Sequence, residues 1–174
     1  MDKVTYDDLM EQHKLLRSDP ERFVALCDQY IEQNPSDPNG YSSRYYGLNR
    51  LGRKDLALQD MDRAIALDPD PHPLAYMDRG ILLLTMGEYQ KAVDDFDRVE
   101  SLSPEDFPLI WGPFYRAASH ARLGNVEATR ADCARIQDDH WMPGIFNTPR
   151  GNKQEATAEL TRLANAVRLA RGGS

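Results

Sequence analysis

Residues 76–104 read YMDRGILLLTMGEYQKAVDDFDRVESLSP, and the spacing of four residues within this stretch decides the fold. Arg79 is followed eight residues later by Gly87, eight residues after that by Asp95, and three residues after that by Arg98. The same spacing recurs in two other places, Arg44-Gly52-Asp60-Arg63 and Arg116-Gly124-Asp132-Arg135. The three copies begin 35 and 37 residues apart. A period of this length is typical of an array of helix-turn-helix repeats.

Other residues recur in phase with this spacing. Tyr41 and Tyr76 each precede the first Arg of a copy by three residues, and Pro69 and Pro104 close two of the copies. Proline ends the second helix of a unit because it has no N–H to continue the hydrogen-bond ladder. Each unit is therefore predicted to hold two amphipathic helices joined at the Gly. In the clearest copy, helix A is expected over about 75–86 and helix B over about 89–101.

The clearest copy resembles a tetratricopeptide repeat. Tyr76, Gly87, Ala92 and Phe96 stand at positions that the family motif uses, and Pro104 closes the unit. In such repeats, small residues lie where two helices approach each other closely. The resemblance implies an all-α fold: a right-handed superhelical array of antiparallel helix pairs, with about three to four repeats and a C-terminal capping helix.

Three further segments resemble the same repeat, the first about as closely and the other two less closely. Residues 41–69 are close to it, although Tyr45 stands where the family prefers Gly or Ala. Residues 110–137 lack the closing Pro, and residues 5–35 lack the Gly between the helices. The array is therefore predicted over 1–137, as a degenerate unit at 5–36 and units at 39–70, 74–105 and 110–137.

The tail of the chain has a different pattern. A connector rich in Pro, Gly and aromatic residues covers 138–151, and a capping helix is predicted over 152–170. Asn152 is expected to cap this helix, with Glu155 three residues later as its capping-box partner. An array needs such a terminal element to cover the exposed face of its last repeat.

The recurring charges have two interpretations. An Arg and an Asp that are sixteen residues apart across one turn can meet between antiparallel helices. The alternative is that the Arg of each copy belongs to a ladder that binds anions. We favour internal pairs, because the Asp recurs in register with the Arg and would neutralise it. The predicted structural ion pairs are Arg44–Asp60, Arg79–Asp95 and Arg116–Asp132.

The resemblance also implies a binding surface. In this family the concave wall is lined by helix A residues that do not pack in the core. Tyr and Arg suit peptide recognition, because they combine a large contact area with directional polar groups. The alternative is that a Tyr on a short array packs against the next helix or the tail. Phasing on the motif assigns peptide binding in the groove to Ser43, Tyr46, Asn49, Arg50, Met77, Asp78, Ile81, Tyr115 and Arg122.

Charge and motif content restrict the class of partner. The 174 residues carry a formal net charge of −7. Nucleic acid and anionic membranes are disfavoured as partners, because both require a dense basic face, and a basic partner segment is mildly favoured. One subclass of the family holds a peptide's C-terminal carboxylate with Lys and Asn. That clamp is absent, since the matching positions are Ser42, Ser43, Tyr46, Leu74 and Asp78.

Residues that carry catalytic or metal chemistry are sparse. None of the four histidines stands at metal-ligand spacing, so neither a metal nor a cofactor is predicted. Cys27 and Cys133 fall on the buried side of predicted helices, where a free Cys behaves as a small hydrophobe. The residues after Met1 are polar and lack the apolar core of a signal peptide, so a cytoplasmic location is expected.

The sequence therefore predicts a non-enzymatic module that binds a peptide segment of another protein in its concave groove, as a monomer or weak homodimer. One alternative is a dedicated cytoplasmic chaperone for a secreted client, because the size and acidity are similar to those of repeat-containing chaperones of bacterial secretion systems. Another is a self-assembling structural module, in which the tail of one chain occupies the groove of the next. The segment from Trp141 to Phe146 either packs back on the last repeat or recruits a partner.

Overall fold

A computed structural model of the chain describes residues 3–109, 111–138, 142–143 and 150–172. These residues form α-helices almost throughout, which confirms the predicted all-α fold. The chain divides into two compact units, an N-terminal unit of residues 1–75 and a C-terminal unit of residues 76–174.

The N-terminal unit is built from helices that follow one another through short turns. Pro20 and Pro38 each begin a helix, where the missing proline N–H costs nothing, and the Asp before each proline caps it. The Asp19 carboxylate accepts the Arg22 N–H, and the Asp37 carboxylate accepts the Asn39 N–H. The elements are α1 (Tyr6–Glu11), a 3₁₀ turn (Gln12–Lys14), α2 (Leu15–Ser18), α3 (Pro20–Gln33), α4 (Pro38–Arg50) and α5 (Lys54–Leu67).

Helix α3 lies at the centre of this unit. The backbone N–H of Val4 donates to the Gln33 side chain at 3.0 Å, and the His13 ring lies 6.0 Å from the Phe23 ring. The segment before α3 therefore runs antiparallel to it. Helix α4 also runs antiparallel to α3, since a Cβ on Gly40 would touch Ile31 and one on Gly47 would touch Val24.

The C-terminal unit continues the same pattern of helix pairs. Its first helix begins at Pro73, three residues before the unit boundary, and extends two residues further toward the N-terminus than expected. A Cβ on Gly80 would lie 2.7 Å from the Phe96 ring, so a small residue is required there for helix packing. The helices are α6 (Pro73–Met86), α7 (Tyr89–Leu102), α8 (Gly112–Leu123), α9 (Val126–Arg135) and α10 (Lys153–Ala170).

A short strand pair interrupts the predicted connector. Strand β1 (Met142–Pro143) pairs antiparallel with β2 (Arg150–Gly151), with Met142 opposite Gly151. The sequence prediction contained no strand, because a two-residue strand is too short to show an alternating pattern. Trp141 and Phe146 lie outside the described residues.

Helix α10 packs against α8 and α9 within the C-terminal unit, as a capping helix should. Asn152 accepts the Glu155 N–H at 3.0 Å, and the Glu155 carboxylate accepts the Asn152 N–H at 3.0 Å, so the predicted capping box is present. The buried face of the helix carries Ala156, Leu160 and Ala164. Small residues on this face allow α10 to approach its neighbours closely.

We expect Gly124→Ala to destabilise the protein more than Gly52→Ala. Both glycines lie in helix A–helix B turns and have left-handed backbone, with φ of +81° and +72°. An alanine costs about 1–2 kcal/mol in that conformation. A Cβ on Gly124 would also lie 3.1 Å from the Arg168 backbone nitrogen, whereas one on Gly52 would have no neighbour within 4 Å.

The crowding adds roughly 1–3 kcal/mol at Gly124 alone. Urea unfolding of both variants measures the difference, and amide hydrogen exchange locates it. Exchange in α10 should accelerate in Gly124→Ala and stay unchanged in Gly52→Ala. If both variants lost the same stability and α10 exchanged equally slowly in both, the close approach of α10 to Gly124 would not contribute to the free energy of unfolding.

Candidate functional site

The repeated Arg and Asp residues form bidentate ion pairs inside each repeat. In every pair, Nε and Nη2 of the Arg donate to the two carboxylate oxygens of the Asp, at distances of 2.6–2.9 Å. The three aspartates are buried, with exposed fractions of 5%, 5% and 4% in chain order. The pairs are Arg44–Asp60, Arg79–Asp95 and Arg116–Asp132. These arginines are engaged in holding helices A and B together, so an anion-binding ladder is disfavoured.

Two of these arginines also contact the helix that precedes their own repeat. Arg44 donates through Nη1 to Asp28 of α3 at 2.7 Å. Arg116 donates through Nη1 to Asp97 at 2.7 Å and to Glu100 at 2.5 Å, both on α7. Each guanidinium therefore joins three helices.

The acids on the preceding helix were missed by sequence reasoning, which looked for partners within one unit. A signal was present, since Asp28 and Glu100 each stand sixteen residues before the Arg that they contact. Hydrogen bonds from Arg135 and Arg116 hold the pKa of Glu100 below its usual range, although burial opposes this effect. Glu100 therefore contributes its negative charge to the cluster at neutral pH.

An aromatic ring lies beside the two arginines of each copy. In the first copy, the guanidinium carbons of Arg44 and Arg63 lie 5.9 and 6.0 Å from the centre of the Tyr41 ring. In the second copy, Arg79 and Arg98 lie 5.7 and 5.8 Å from the Tyr76 ring. These are cation–π distances. The in-phase Tyr of the sequence is thus a part of the ion-pair cluster.

The third copy obtains its ring from another place in the chain. Pro113 stands three residues before Arg116, where the other copies have Tyr. The ring of Phe107, in the segment between α7 and α8, lies 4.8 Å from Arg116 and 5.6 Å from Arg135 instead. Phe107 is fully buried.

The segment that carries Phe107 is closed tightly over its ring. The Gly112 N–H donates to the Phe107 carbonyl at 3.0 Å, and a Cβ on Gly112 would lie 2.2 Å from the ring. Trp111 adopts left-handed backbone, with φ of +67°, which is strained for a residue with a side chain. The buried Phe107 ring packs against this turn and offsets the backbone strain at Trp111.

Of the nine residues predicted to bind peptide, two are exposed, five are half-buried and two are buried. On α4, Tyr46 is 42% exposed, Arg50 is exposed, and Ser43 and Asn49 are half-buried. In the C-terminal unit, Asp78, Ile81 and Arg122 are half-buried. The Arg122 guanidinium donates to the Ala118 carbonyl at 3.0 Å and lies 5.9 Å from the Tyr89 ring.

Met77 and Tyr115 do not line an exposed groove wall, contrary to the sequence prediction. Their exposed fractions are 4% and 7%, so their side chains belong to the core and offer little surface to a partner. The Tyr115 ring stacks on Phe96 at 6.3 Å and lies 5.4 Å from Phe114. Burial raises the pKa of Tyr115, which keeps its hydroxyl protonated. The binding prediction therefore narrows to the other seven residues.

One neighbour of Tyr46 was not predicted from the sequence. The centre of the His13 ring, in the 3₁₀ turn, lies 6.4 Å from that of the Tyr46 ring, with the ring planes at 67° to each other. The Tyr45 ring also contacts Tyr46, with the ring centres 4.9 Å apart. The first, degenerate repeat thus contributes to the surroundings of Tyr46, although its motif is too weak to be phased reliably from the sequence.

Burial shifts the pKa of three further titratable groups, two thiols and one imidazole. Cys27 and Cys133 are buried free thiols, and burial raises their pKa values to about 12 and about 11, so both stay protonated. Burial also lowers the pKa of His120, whose ring lies 3.9 Å from the Asp132 carboxylate. These groups are suited to packing within the repeat rather than to proton transfer.

In the part of the chain that the structure describes, no helix is long and apolar enough to cross a membrane. Residues 74–106 match the family model described as tetratricopeptide repeat. No curated protein matches the chain in sequence.

Solved structures of MamA have the same fold. MamA 41-end from Desulfovibrio magneticus RS-1 is 19% identical, with a TM-score of 0.69 over 95% of this chain and 94% of that chain. The MamA RS-1 ArsTM double mutant is 19% identical, with a TM-score of 0.68 over 93% and 92%. Another crystal structure of MamA is 14% identical, with a TM-score of 0.63 over 97% and 81%.

Proposed function

Since the chain is a tetratricopeptide-repeat protein, with the repeat matched at residues 74–106, we propose that it binds a peptide segment of a partner protein and catalyses no reaction. The repeats and the shared fold make it a protein-interaction module. In the N-terminal unit the proposed contact surface is the exposed face of α4, with Ser43, Tyr46, Asn49 and Arg50. In the C-terminal unit the proposed peptide contacts are Asp78, Ile81 and Arg122.

The exposure of Tyr46 carries this proposal. A tyrosine is large, loses little entropy when it is held, and has both an apolar ring and a polar hydroxyl. Arg50 stands four residues later on the same helix face, where it can bond to a peptide carbonyl or carboxylate. The half-buried Ser43 and Asn49 add hydrogen-bonding groups beside the ring.

The absence of catalysis is proposed from the use of the charged groups. The buried Asp of each repeat is bonded to Arg on both of its oxygens, which leaves neither oxygen poised to move a proton. Burial lowers the pKa of the half-buried His120 near this cluster, which favours its neutral form. These residues serve the packing of the helices.

A pull-down from source lysate tests the proposed surface. We expect wild-type protein to retain one or more partner proteins that Tyr46→Ala/Arg50→Ala loses. Leu56→Ala/Arg22→Ala is the matched control, because it removes one exposed apolar side chain and one exposed cation elsewhere on the same unit. The control should retain the partner.

The number of partners retained also distinguishes a dedicated chaperone from a scaffold. One stoichiometric client would indicate a dedicated chaperone, whereas several weak partners would indicate a scaffold. Light scattering at two protein concentrations reports self-assembly, which would grow with concentration. If the Tyr46→Ala/Arg50→Ala variant bound every partner as well as wild type, α4 would not be the contact surface.

A further inference from the structure

We propose that the surface around Tyr46 selects acidic peptide segments in which a large apolar or aromatic side chain stands close to one or more carboxylates. We define the Tyr46 surface as Met10, His13, Arg17, Tyr46 and Arg50, all in the N-terminal unit. This inference rests on the proposed function, because it names the chemistry of the peptide that the same site would take.

The fold places two cations toward the same end of this surface. The segment before α3 and helix α4 both run antiparallel to α3, so they run in the same direction as each other. The His13 and Tyr46 rings lie 6.4 Å apart. Arg17 stands four residues after His13, and Arg50 stands four residues after Tyr46. The segment before α3 and helix α4 therefore each carry an arginine one helical turn beyond the paired rings.

These two arginines differ from those of the repeat motif. Both are exposed, and neither has an ion pair or a hydrogen bond from its side chain to any residue that the structure describes. The two acids that follow Arg17 most closely in the chain each have another contact. Glu21 is bonded to Arg53 at 2.7 Å, and the Asp19 carboxylate accepts the Arg22 N–H at 3.1 Å. Two guanidinium groups thus remain available to carboxylates of a partner.

The other end of the surface is apolar and then acidic. Met10 is 51% exposed, stands one turn before His13, and extends the surface of the His13 and Tyr46 rings. Asp7, one turn before Met10, is exposed on the same short helix, and Glu11, next to Met10 in the chain, is exposed as well. They would repel carboxylates placed there. A peptide is therefore oriented with its large apolar side chain against the rings and its acids toward Arg17 and Arg50.

The net charge of the whole chain opposes this preference only at long range. At physiological salt, the Debye length is about 8 Å, so charges elsewhere on the chain are largely screened. A carboxylate in direct contact with two arginines is closer than that distance. The local cations, rather than the overall charge of −7, decide which peptide docks at this surface.

A display library of random decapeptides tests the inference with full-length protein. We expect selected peptides to carry Asp or Glu within a few residues of an aromatic or large aliphatic residue. Fluorescence anisotropy of a selected peptide should then show roughly tenfold weaker binding to Arg17→Gln/Arg50→Gln at 0.15 M salt. The matched control Arg22→Gln/Arg162→Gln removes the same charge from exposed positions elsewhere and should bind within about twofold of wild type.

A salt titration tests whether charge recognition causes this difference in affinity. Peptide binding to wild type should weaken as salt is raised, whereas peptide binding to Arg17→Gln/Arg50→Gln should change little. Selection of basic or uncharged peptides, or equal binding by that variant, would overturn the inference. The proposed function would survive such a result if Tyr46→Ala still abolished binding. If no peptide were selected, or if Tyr46→Ala bound the selected peptides as wild type does, the proposed function would fail as well.

Discussion

Replacing Phe107 by Ala is expected to lower the free energy of unfolding of the C-terminal unit by about 3–5 kcal/mol. The ring is fully buried, and a residue without it leaves a cavity under the turn that Gly112 closes. The guanidinium groups of Arg116 and Arg135 also lose their cation–π partner. Urea unfolding followed by far-ultraviolet circular dichroism measures the loss.

Leu109→Ala is the control for Phe107. Leu109 lies in the same segment but is 54% exposed, so its loss should change stability by less than about 0.5 kcal/mol. Phe107→Leu keeps most of the volume and removes only the aromatic ring, so it should fall between the two. If Phe107→Ala and Leu109→Ala had the same small effect, the ring would have no structural role in the third repeat.

Replacing Asp132 by Ala is expected to cost about 3–5 kcal/mol, because it leaves a buried guanidinium without its bidentate partner. Arg116 is 8% exposed, so water cannot replace the lost carboxylate fully. Asp97→Ala provides the comparison. Asp97 bonds to the same guanidinium, but its side chain is 58% exposed, so its removal should cost less than about 1 kcal/mol.

A double variant tests why Asp132→Ala loses stability. Arg116→Met/Asp132→Leu removes both charges and fills the space with apolar side chains, so it should recover stability relative to Asp132→Ala. Unfolding midpoints in urea for the three variants give the order directly. If the double variant were the least stable of the set, the cost would arise from lost ion-pair energy rather than from a buried guanidinium that keeps only Asp97 and Glu100 as partners.

The helices could be predicted from the sequence because the repeat spacing is periodic and local. Helix α7 was expected over about 89–101 and covers Tyr89–Leu102. The pairing of Arg79 with Asp95 could also be predicted, since both residues recur in register and the turn at Gly87 lies midway between them. Regularity of this kind is visible in one sequence.

Features that depend on the neighbours of a residue could not be predicted in this way. Phe107 takes the place of a repeated Tyr from a different distance along the chain, so no fixed spacing identifies it. Met77 and Tyr115 have the phase of a groove wall, but burial depends on which helices pack beside them. His13 lies beside Tyr46 through a repeat whose motif is degenerate. The binding role of the exposed residues stays a prediction.

The contacts of Arg44 and Arg116 with three helices affect how such a chain can be rearranged by evolution or by design. Each Arg needs one acid in its own repeat and another on the repeat before it. A repeat grafted from another protein would satisfy its own Arg and still leave the following Arg one carboxylate short. Stability in repeat arrays depends on such contacts between neighbours as well as on each unit. A foreign repeat should therefore be accepted best in this chain when it carries an acid at the position that Asp28 and Glu100 occupy here.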